Sequence, residues 1–198
     1  PSPLTGTEQT ATFSLPPGFT AELVAEEAPG YGKFITTAWD SAGRLWTMTA
    51  MEYPVDANEN RKSAEALYAS VAKDKVLVYD LVDRGGNGKP ATYAKTPRVF
   101  AEGLAIPLGL LPYKDGVIVQ HGSQIKFLRD TDGDGKADKT EILLEGVGID
   151  DSHLFLHGFT RGPGGWIYTA QGAFNHSNIK AKDGSVTKWD FCKMGRFT

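Results

Sequence analysis

The chain has 198 residues, of which 21 are basic and 24 acidic, giving a formal net charge of −3. This length can bury a sizeable core in one domain or in two small ones. No basic cluster is present, so nucleic acid is not expected as a partner, and no apolar run reaches the roughly 18 residues of a membrane span. The single cysteine, Cys192, excludes an internal disulfide and a haem-binding Cys-x-x-Cys site in this chain, and we interpret it as a small buried apolar residue.

Short apolar runs separated by glycine and proline turns predict an all-β fold. Three segments share a strand–turn–strand pattern, namely residues 35–46, 107–119 and 157–168. The turn glycines of the second and third segments, Gly116 and Gly165, are about fifty residues apart, which is the length of one four-stranded propeller blade. We therefore expect one domain over residues 1–198, a partial β-propeller of three to four blades.

The interval between the first and second segments is longer, and an insertion over residues 53–74 accounts for it. Ser63 can cap a helix, and the alanine, glutamate and leucine residues that follow it favour one over residues 63–73. We expect this single short helix to decorate the surface.

Residues 130–138, here called the acidic loop, carry the most specific motif of the chain. Carboxylates stand at its positions one, three, five and nine, and a glycine at position six permits a sharp turn. Such spacing can direct several oxygens onto one hard cation, with a backbone carbonyl at position seven. The predicted Ca²⁺ ligands are Asp130, Asp132, Asp134, Lys136 (through its carbonyl) and Asp138.

The same stretch satisfies the EF-hand pattern, with Glu141 at position twelve. An EF-hand needs a helix on each side, but residues 116–121 and 124–128 are typical of strands, and the segment after Glu141 is too short for a helix. We therefore predict a calcium-binding β-hairpin in which Asp138 supplies the closing carboxylate. A similar layout over residues 83–91 has Gly85 and Ala91 at the ligand positions, so it keeps the turn without enough oxygens for a cation.

Two histidines at the start of the third repeat, His153 and His157, are the candidates for catalysis. Histidine is suited to accept a proton from a sugar hydroxyl at neutral pH, and Asp150 or Asp151 could orient either ring. The alternative is a polar loop in which both rings make structural contacts. The tryptophans, together with Phe159 and Tyr168, are interpreted as core packing between blades rather than as a sugar-stacking surface.

Residues 13–25, 39–46, 51–54 and 128–168 together resemble a known family. They are similar to membrane-bound dehydrogenase β-propellers of the Planctomycetes–Verrucomicrobia type, extracytoplasmic proteins that often end in a cytochrome c domain. That family is similar in turn to the glucose/sorbosone dehydrogenases, six-bladed propellers that oxidise sugars with pyrroloquinoline quinone. The family typically has two adjacent histidines and an asparagine where this chain has His153, Leu154 and His157. The position most like the catalytic base of the sugar dehydrogenases is therefore a leucine.

These observations lead to two hypotheses for function. The first is a non-catalytic, calcium-stabilised propeller subunit that serves as a binding or scaffold component, with protein partners covering an open propeller edge. The alternative is a fragment of a periplasmic quinoprotein-like dehydrogenase acting on a sugar or alcohol, although no residue here specifies a quinone site. The start at Pro1 fits either a removed leader or a trimmed chain. Weak calcium loops are typical of extracellular modules, so we expect a periplasmic or secreted protein.

Overall fold

Antiparallel strands make up most of the ordered structure, as the sequence predicts. The structure, a computed structural model, describes residues 2–198. Its helices are α1 (Gly6–Ala11) and α2 (Ala57–Tyr68), and two short 3₁₀ turns cover Ser152–Leu154 and Pro163–Gly165. Within this part of the chain, neither helix has the length and apolarity needed to cross a membrane.

The strands form three larger sheets and one small hairpin. In chain order they are β1 (Thr37–Trp39), β2 (Leu45–Met48), β3 (Asp74–Tyr79), β4 (Leu81–Asp83), β5 (Thr92–Tyr93), β6 (Arg98–Leu104), β7 (Leu110–Tyr113), β8 (Gly116–His121), β9 (Gln124–Arg129), β10 (Lys139–Glu145), β11 (His157–Arg161), β12 (Ile167–Gln171), β13 (His176–Ala181), β14 (Val186–Asp190) and β15 (Lys193–Phe197).

Each larger sheet is built mainly from antiparallel neighbours in sequence. The first sheet has the order β1-β2-β3-β6, and the second has β7-β8-β9-β10 followed by β13 and β14. The third sheet has the order β11-β12-β15, and β4 and β5 form a two-stranded sheet. The three predicted strand–turn–strand segments therefore correspond to β1-β2, β7-β8 and β11-β12.

Strand β8 lies between two apolar cores, which explains why Val117, Ile118 and Val119 are all apolar. Successive side chains of a strand point to opposite faces. Val117 and Val119 accordingly pack with Trp46, Val78 and other residues of the first sheet. Ile118 packs on the other side with residues of the third sheet such as Phe159 and Ile167. The second sheet is thus the central layer of the structure.

The turn into β8 depends on a glycine. A Cβ atom on Gly116 would lie 1.9 Å from the carbonyl oxygen of Leu128, so no larger residue fits without moving the β8–β9 pair. Gly116 and Arg129 are partners in this pair, directly before the acidic loop begins. The glycine therefore helps to place that loop.

The helix within the insertion begins earlier in the chain than the sequence predicts. Helix α2 starts after Asp56, and Ser63 lies inside it rather than at its start. Asn60 departs from helical geometry with φ −149°, and its side chain accepts a hydrogen bond from the backbone N–H of Ser63 at 3.0 Å. Asn60 thus caps the second part of the helix, a role that the sequence analysis assigned to Ser63.

Two further expectations are wrong. Helix α1 was not predicted; it is a single short segment whose start is stabilised by a reciprocal capping interaction between Thr5 and Glu8. Cys192 is exposed rather than buried, because it lies in the turn between β14 and β15 at the edge of the structure.

Candidate functional site

The acidic loop connects β9 to β10 in the second sheet. The two strands pair directly at its base, with Arg129 opposite Lys139. The loop is therefore flanked by strands, as predicted, and the EF-hand alternative is excluded by its lack of flanking helices. Glu141 lies in β10, where it accepts a hydrogen bond from Arg129 at 2.9 Å.

Three of the four predicted carboxylates of the loop lie close together. Asp130, Asp132 and Asp138 each have an oxygen within 4.8 Å of an oxygen of the other two. The Asp134 carboxylate stands apart from this group and accepts a hydrogen bond from the backbone N–H of Lys136 at 2.8 Å. The side chain of Lys136 is exposed, which leaves its predicted role to the backbone carbonyl.

Backbone donors hold these carboxylates in place. The two oxygens of Asp130 accept hydrogen bonds from the N–H groups of Gly133 at 2.7 Å and Gly135 at 2.9 Å. Asp138 accepts from the N–H groups of Thr131 and Asp132 at 3.1 and 3.2 Å. Both glycines have positive φ, +82° and +87°, which L side chains rarely adopt. The turn therefore requires these glycines and directs its carboxylates inward.

An arginine from the first sheet contacts the acidic loop. Arg98 donates a hydrogen bond from Nη1 to the carbonyl oxygen of Gly135 and also pairs with Asp80. The hydrogen bond to Asp80 raises the pKa of Arg98 above its usual value, and the negative charges of Asp130 and Asp134 raise it further. A guanidinium from the first sheet thus lies beside two of the acids of the loop, Asp130 and Asp134.

The donor chemistry of the loop fits a hard cation. All its candidate ligands are oxygens, and Ca²⁺ accepts six to eight of them from carboxylates, backbone carbonyls and water. Asp130, Asp132 and Asp138 would hold the ion, and the Lys136 carbonyl is the predicted backbone ligand.

The companion loop over residues 83–91 forms a turn without such a cluster. It connects β4 to β5, and Asp83 accepts a hydrogen bond from the N–H of Gly85 at 2.9 Å. Gly86 and Lys89 form an antiparallel bridge within it. Asp83 is its one carboxylate, so the turn itself does not require the acids that distinguish the acidic loop.

His153 belongs to a second cluster, formed with Asp56, Asp151 and Tyr53. Its Nδ1 lies 3.1 Å from Oδ1 of Asp151 and 4.0 Å from Oδ2 of Asp56. The Tyr53 ring packs edge-on against the imidazole, with ring centroids 5.0 Å apart. The two aspartates are largely buried, whereas the His153 side chain is 54% exposed. Asp151 therefore orients one imidazole nitrogen and leaves the ring open to solvent.

His157 has a different environment. Its Nδ1 lies 2.5 Å from the carbonyl oxygen of Phe155, and the residue is half-buried at the start of β11. This contact fixes the backbone between the 3₁₀ turn and the strand. Asp150, the other predicted carboxylate partner, forms an ion pair with Arg61 instead of orienting a histidine.

Sequence reasoning missed Asp56 and Tyr53 as members of the His153 cluster. Asp56 precedes α2 at its N-cap position, and Tyr53 lies at the start of the insertion, one hundred residues before His153. Burial, followed by the charges of Asp56 and Asp151, raises the pKa of the Tyr53 hydroxyl. The one available signal was an aspartate before a helix, which indicates a cap rather than a cluster.

The aromatic residues divide between core and surface. Trp46 and Phe159 are buried, which confirms the packing interpretation for these two. Trp39 is 58% exposed and donates a hydrogen bond from its indole N–H to the Tyr93 hydroxyl at 2.8 Å. For Trp39 the packing interpretation is wrong.

The sequence of the chain matches the profile of one protein family. The profile of a family described as "Domain of unknown function (DUF7133)" matches residues 5–194. The chain belongs to this family. The DUF7133 match covers every strand from β1 to β14 and includes both the acidic loop and the His153 cluster. No curated protein matches the chain.

Proposed function

We propose that this DUF7133 chain is part of a β-propeller. The first sheet is a four-stranded antiparallel meander, and the second begins with the same arrangement in β7 to β10. The third sheet has three antiparallel strands in the order β11-β12-β15. The first strands of the three sheets, β1, β7 and β11, are neighbours, with β7 in the middle. Such an arrangement of innermost strands is expected for adjacent blades around a common axis. The resemblance to dehydrogenase propellers supports the same proposal.

The acidic loop is the proposed calcium site of this propeller. The observation that carries the proposal is the convergence of Asp130, Asp132 and Asp138 on a turn that is held by its own backbone donors. Three carboxylates at this separation repel one another, so a bound Ca²⁺ would stabilise the turn. The cation would thereby stabilise the second sheet, the central layer of the fold.

The function proposed for this calcium-stabilised unit is that of a binding or scaffold subunit in an extracytoplasmic assembly. Within residues 2–198, β15 pairs with β12 on one side and with no strand on the other. Next to it lies a groove of about 720 Å³ lined by Trp166, Trp189 and Phe197, and Met194 on β15 is 78% exposed. An edge strand beside apolar side chains is a surface that a further strand or a protein partner would cover.

Thermal unfolding tests the calcium part of this proposal. The melting temperature of the chain should rise when Ca²⁺ replaces a chelator, and the combined change Asp132→Ala and Asp134→Ala should abolish the rise. Asp83→Ala in the companion loop is the matched control and should leave the calcium response intact. An equal calcium response in the acidic-loop variant would show that the cation binds elsewhere.

The edge surface can be tested separately by sedimentation velocity. Without its partner, the chain should self-associate as its concentration increases, because edge strands pair readily with one another. Met194→Lys should reduce this association, since a lysine on an edge strand opposes such pairing. A chain that stays monomeric at all concentrations would contradict a partner surface at β15.

The second candidate function is a fragment of a quinoprotein-like sugar or alcohol dehydrogenase. The observation in its favour is the Asp151–His153 contact, because a carboxylate at Nδ1 leaves the opposite ring nitrogen able to accept a proton. Supplied with pyrroloquinoline quinone, Ca²⁺ and a sugar, such an enzyme would reduce an artificial electron acceptor. His153→Ala should then remove turnover, and His176→Ala, which changes an exposed histidine whose ring contacts Asp190, should not. The scaffold proposal predicts no turnover in any of these proteins.

A further inference from the structure

The cluster around His153 contains two carboxylates that lack a strong cationic partner. The Asp56 and Asp151 side chains are 11% and 16% exposed, and within residues 2–198 neither forms an ion pair with a lysine or an arginine. The adjacent Asp150 is different, because Arg61 neutralises it. Two unneutralised carboxylates at this degree of burial are costly unless a positive charge accompanies them.

The positions of the ligand atoms correspond to those around a small metal ion. One atom from each of Asp56, Asp151 and His153 lies within 4.8 Å of the other two. Two ligands bound at about 2.0–2.2 Å to one ion lie roughly 3–3.5 Å apart. The distances from His153 Nδ1 to the two carboxylates, 3.1 and 4.0 Å, require only a small closure to reach this geometry.

A buried hydroxyl in the same turn provides a second observation. Ser152 lies between Asp151 and His153 in sequence, is completely buried, and its Oγ has no hydrogen-bond partner among the described residues. Its backbone N–H donates to Asp56, which places the residue directly at the cluster. Buried polar atoms of native proteins are normally bonded to protein, water or an ion. An unsatisfied hydroxyl at this position therefore favours an additional bound group.

We propose that Asp56, Asp151 and His153 bind a divalent transition-metal ion such as Zn²⁺. One imidazole nitrogen and two carboxylates match the preferences of zinc and its neighbours, whereas the all-oxygen acidic loop matches Ca²⁺. The exposed side of His153 leaves a coordination position for water or a small ligand, as in zinc sites with three protein ligands. This site is independent of the calcium proposal.

Metal binding here would also connect distant parts of the chain. Asp56 is the N-cap residue of helix α2, and Asp151 and His153 lie in the turn before β11. Two backbone hydrogen bonds already join these segments, from Ala57 to Ile149 at 3.1 Å and from Asn58 to Asp150 at 3.0 Å. An ion held from both sides would stabilise the attachment of α2 to the sheets.

Isothermal titration with Zn²⁺, performed on the chain in saturating Ca²⁺, tests the proposal. We expect one zinc ion per chain, and at least about a tenfold loss of affinity in Asp151→Asn and in His153→Gln. The asparagine keeps an oxygen for the existing hydrogen bonds, and His153 is exposed enough for its replacement to fold normally. His176→Gln is the matched control, because His176 also contacts a carboxylate, Asp190, at 2.9 Å, and should leave affinity unchanged.

X-ray absorption of the zinc-loaded protein gives a readout that does not depend on activity. It should show a first shell of one nitrogen and two oxygens from the protein, together with solvent oxygen. Absence of saturable zinc binding would overturn the proposal, as would equal affinity in wild type and Asp151→Asn.

Discussion

Arg98 on β6 donates a hydrogen bond to the backbone carbonyl of Gly135, and this contact joins the first sheet to the acidic loop of the second. The same guanidinium donates from Nε and Nη2 to Asp80 at 3.2 and 3.0 Å. A Cβ atom on Gly135 would lie 2.6 Å from Arg98 Nη1, so the close approach also depends on the glycine. The acidic loop is therefore positioned by a neighbouring sheet as well as by its own turn.

Replacing this arginine should destabilise the protein most when calcium is absent. Arg98→Met removes the hydrogen bonds and the positive charge beside Asp130 and Asp134, and because the Arg98–Asp80 pair is partly exposed we expect a loss of about 1 kcal/mol. Saturating Ca²⁺ should reduce the difference, since the ion supplies the missing charge. Urea unfolding with and without Ca²⁺ measures both values. Arg84→Met, at an exposed arginine, is the control, and an equal loss there would refute a specific role for Arg98.

A carboxyl group beside Asp74, the first residue of β3, is expected to lower stability at neutral pH. Glu52 has a buried oxygen, Oε2, without a hydrogen-bond partner within residues 2–198, and burial together with the charge of Asp74 raises its pKa. The stability associated with protonated Glu52 is present below the ordinary carboxyl pKa and is lost as the pH rises through the raised value.

Glu52→Gln should therefore stabilise the protein at pH 7. The amide oxygen can still accept the hydrogen bond that the N–H of Lys73 donates to Glu52 at 3.1 Å, and the amide nitrogen can donate to Asp74. Urea unfolding should show a higher free energy of unfolding for Glu52→Gln than for wild type at pH 7, and this difference should disappear near pH 4. Glu102→Gln on an exposed position of β6 should change little at either pH. If Glu52→Gln were less stable than wild type at pH 7, the negative charge of Glu52 would have to be compensated in the wild-type protein.

A buried histidine should make stability fall in mild acid. His121 is 5% exposed, and burial followed by the charge of Lys126 lowers its pKa to about 4. The contribution of neutral His121 to the free energy of unfolding is fully present above the usual histidine pKa of 6.5. It is lost as the pH falls towards 4, by at most about 3 kcal/mol. His121→Gln should flatten this dependence, whereas His176→Gln, at an exposed site, should preserve it. Equal slopes for His121→Gln and wild type between pH 6.5 and 4 would exclude the assignment.

Two tryptophans of the β1–β2 hairpin should differ sharply on replacement. Trp46 is 3% exposed and packs edge-on against Phe100 with ring centroids 4.8 Å apart, so Trp46→Ala should cost about 3–5 kcal/mol. Trp39 is 58% exposed, and Trp39→Ala should cost less than about 1 kcal/mol. Thermal and urea unfolding of both variants give the comparison. Similar losses would mean that Trp39 is covered in solution.

The parts of the fold that sequence predicted correctly depend on local chemistry. The turn glycines and the β-rich runs around them placed β7, β8 and β9 and identified the acidic loop as a connection between strands. The proposed calcium ligands could likewise be found from spacing within nine residues. These features need no information about distant parts of the chain.

Long-range contacts could not be predicted in the same way. The hairpin β13–β14 joins the second sheet because β13 pairs with β10, with Leu144 opposite Ala181. The sequences of β10 and β13 do not indicate this pairing. Asp56 meets His153 because helix α2 packs on residues 149–152, a contact that arises from tertiary structure. For the same reason, Asp150 was expected to orient a histidine but instead pairs with Arg61.

Direct calcium titration by calorimetry tests the central proposal most simply. The chain should bind one Ca²⁺ ion with a dissociation constant of about 10⁻⁴–10⁻³ M, in the range of extracellular modules. The double change Asp130→Asn and Asp132→Asn should remove this binding, and Asp83→Asn in the companion loop should preserve it. Absence of calcium binding by the wild-type chain, or unchanged binding by the double variant, would contradict a calcium-stabilised propeller subunit built on the acidic loop.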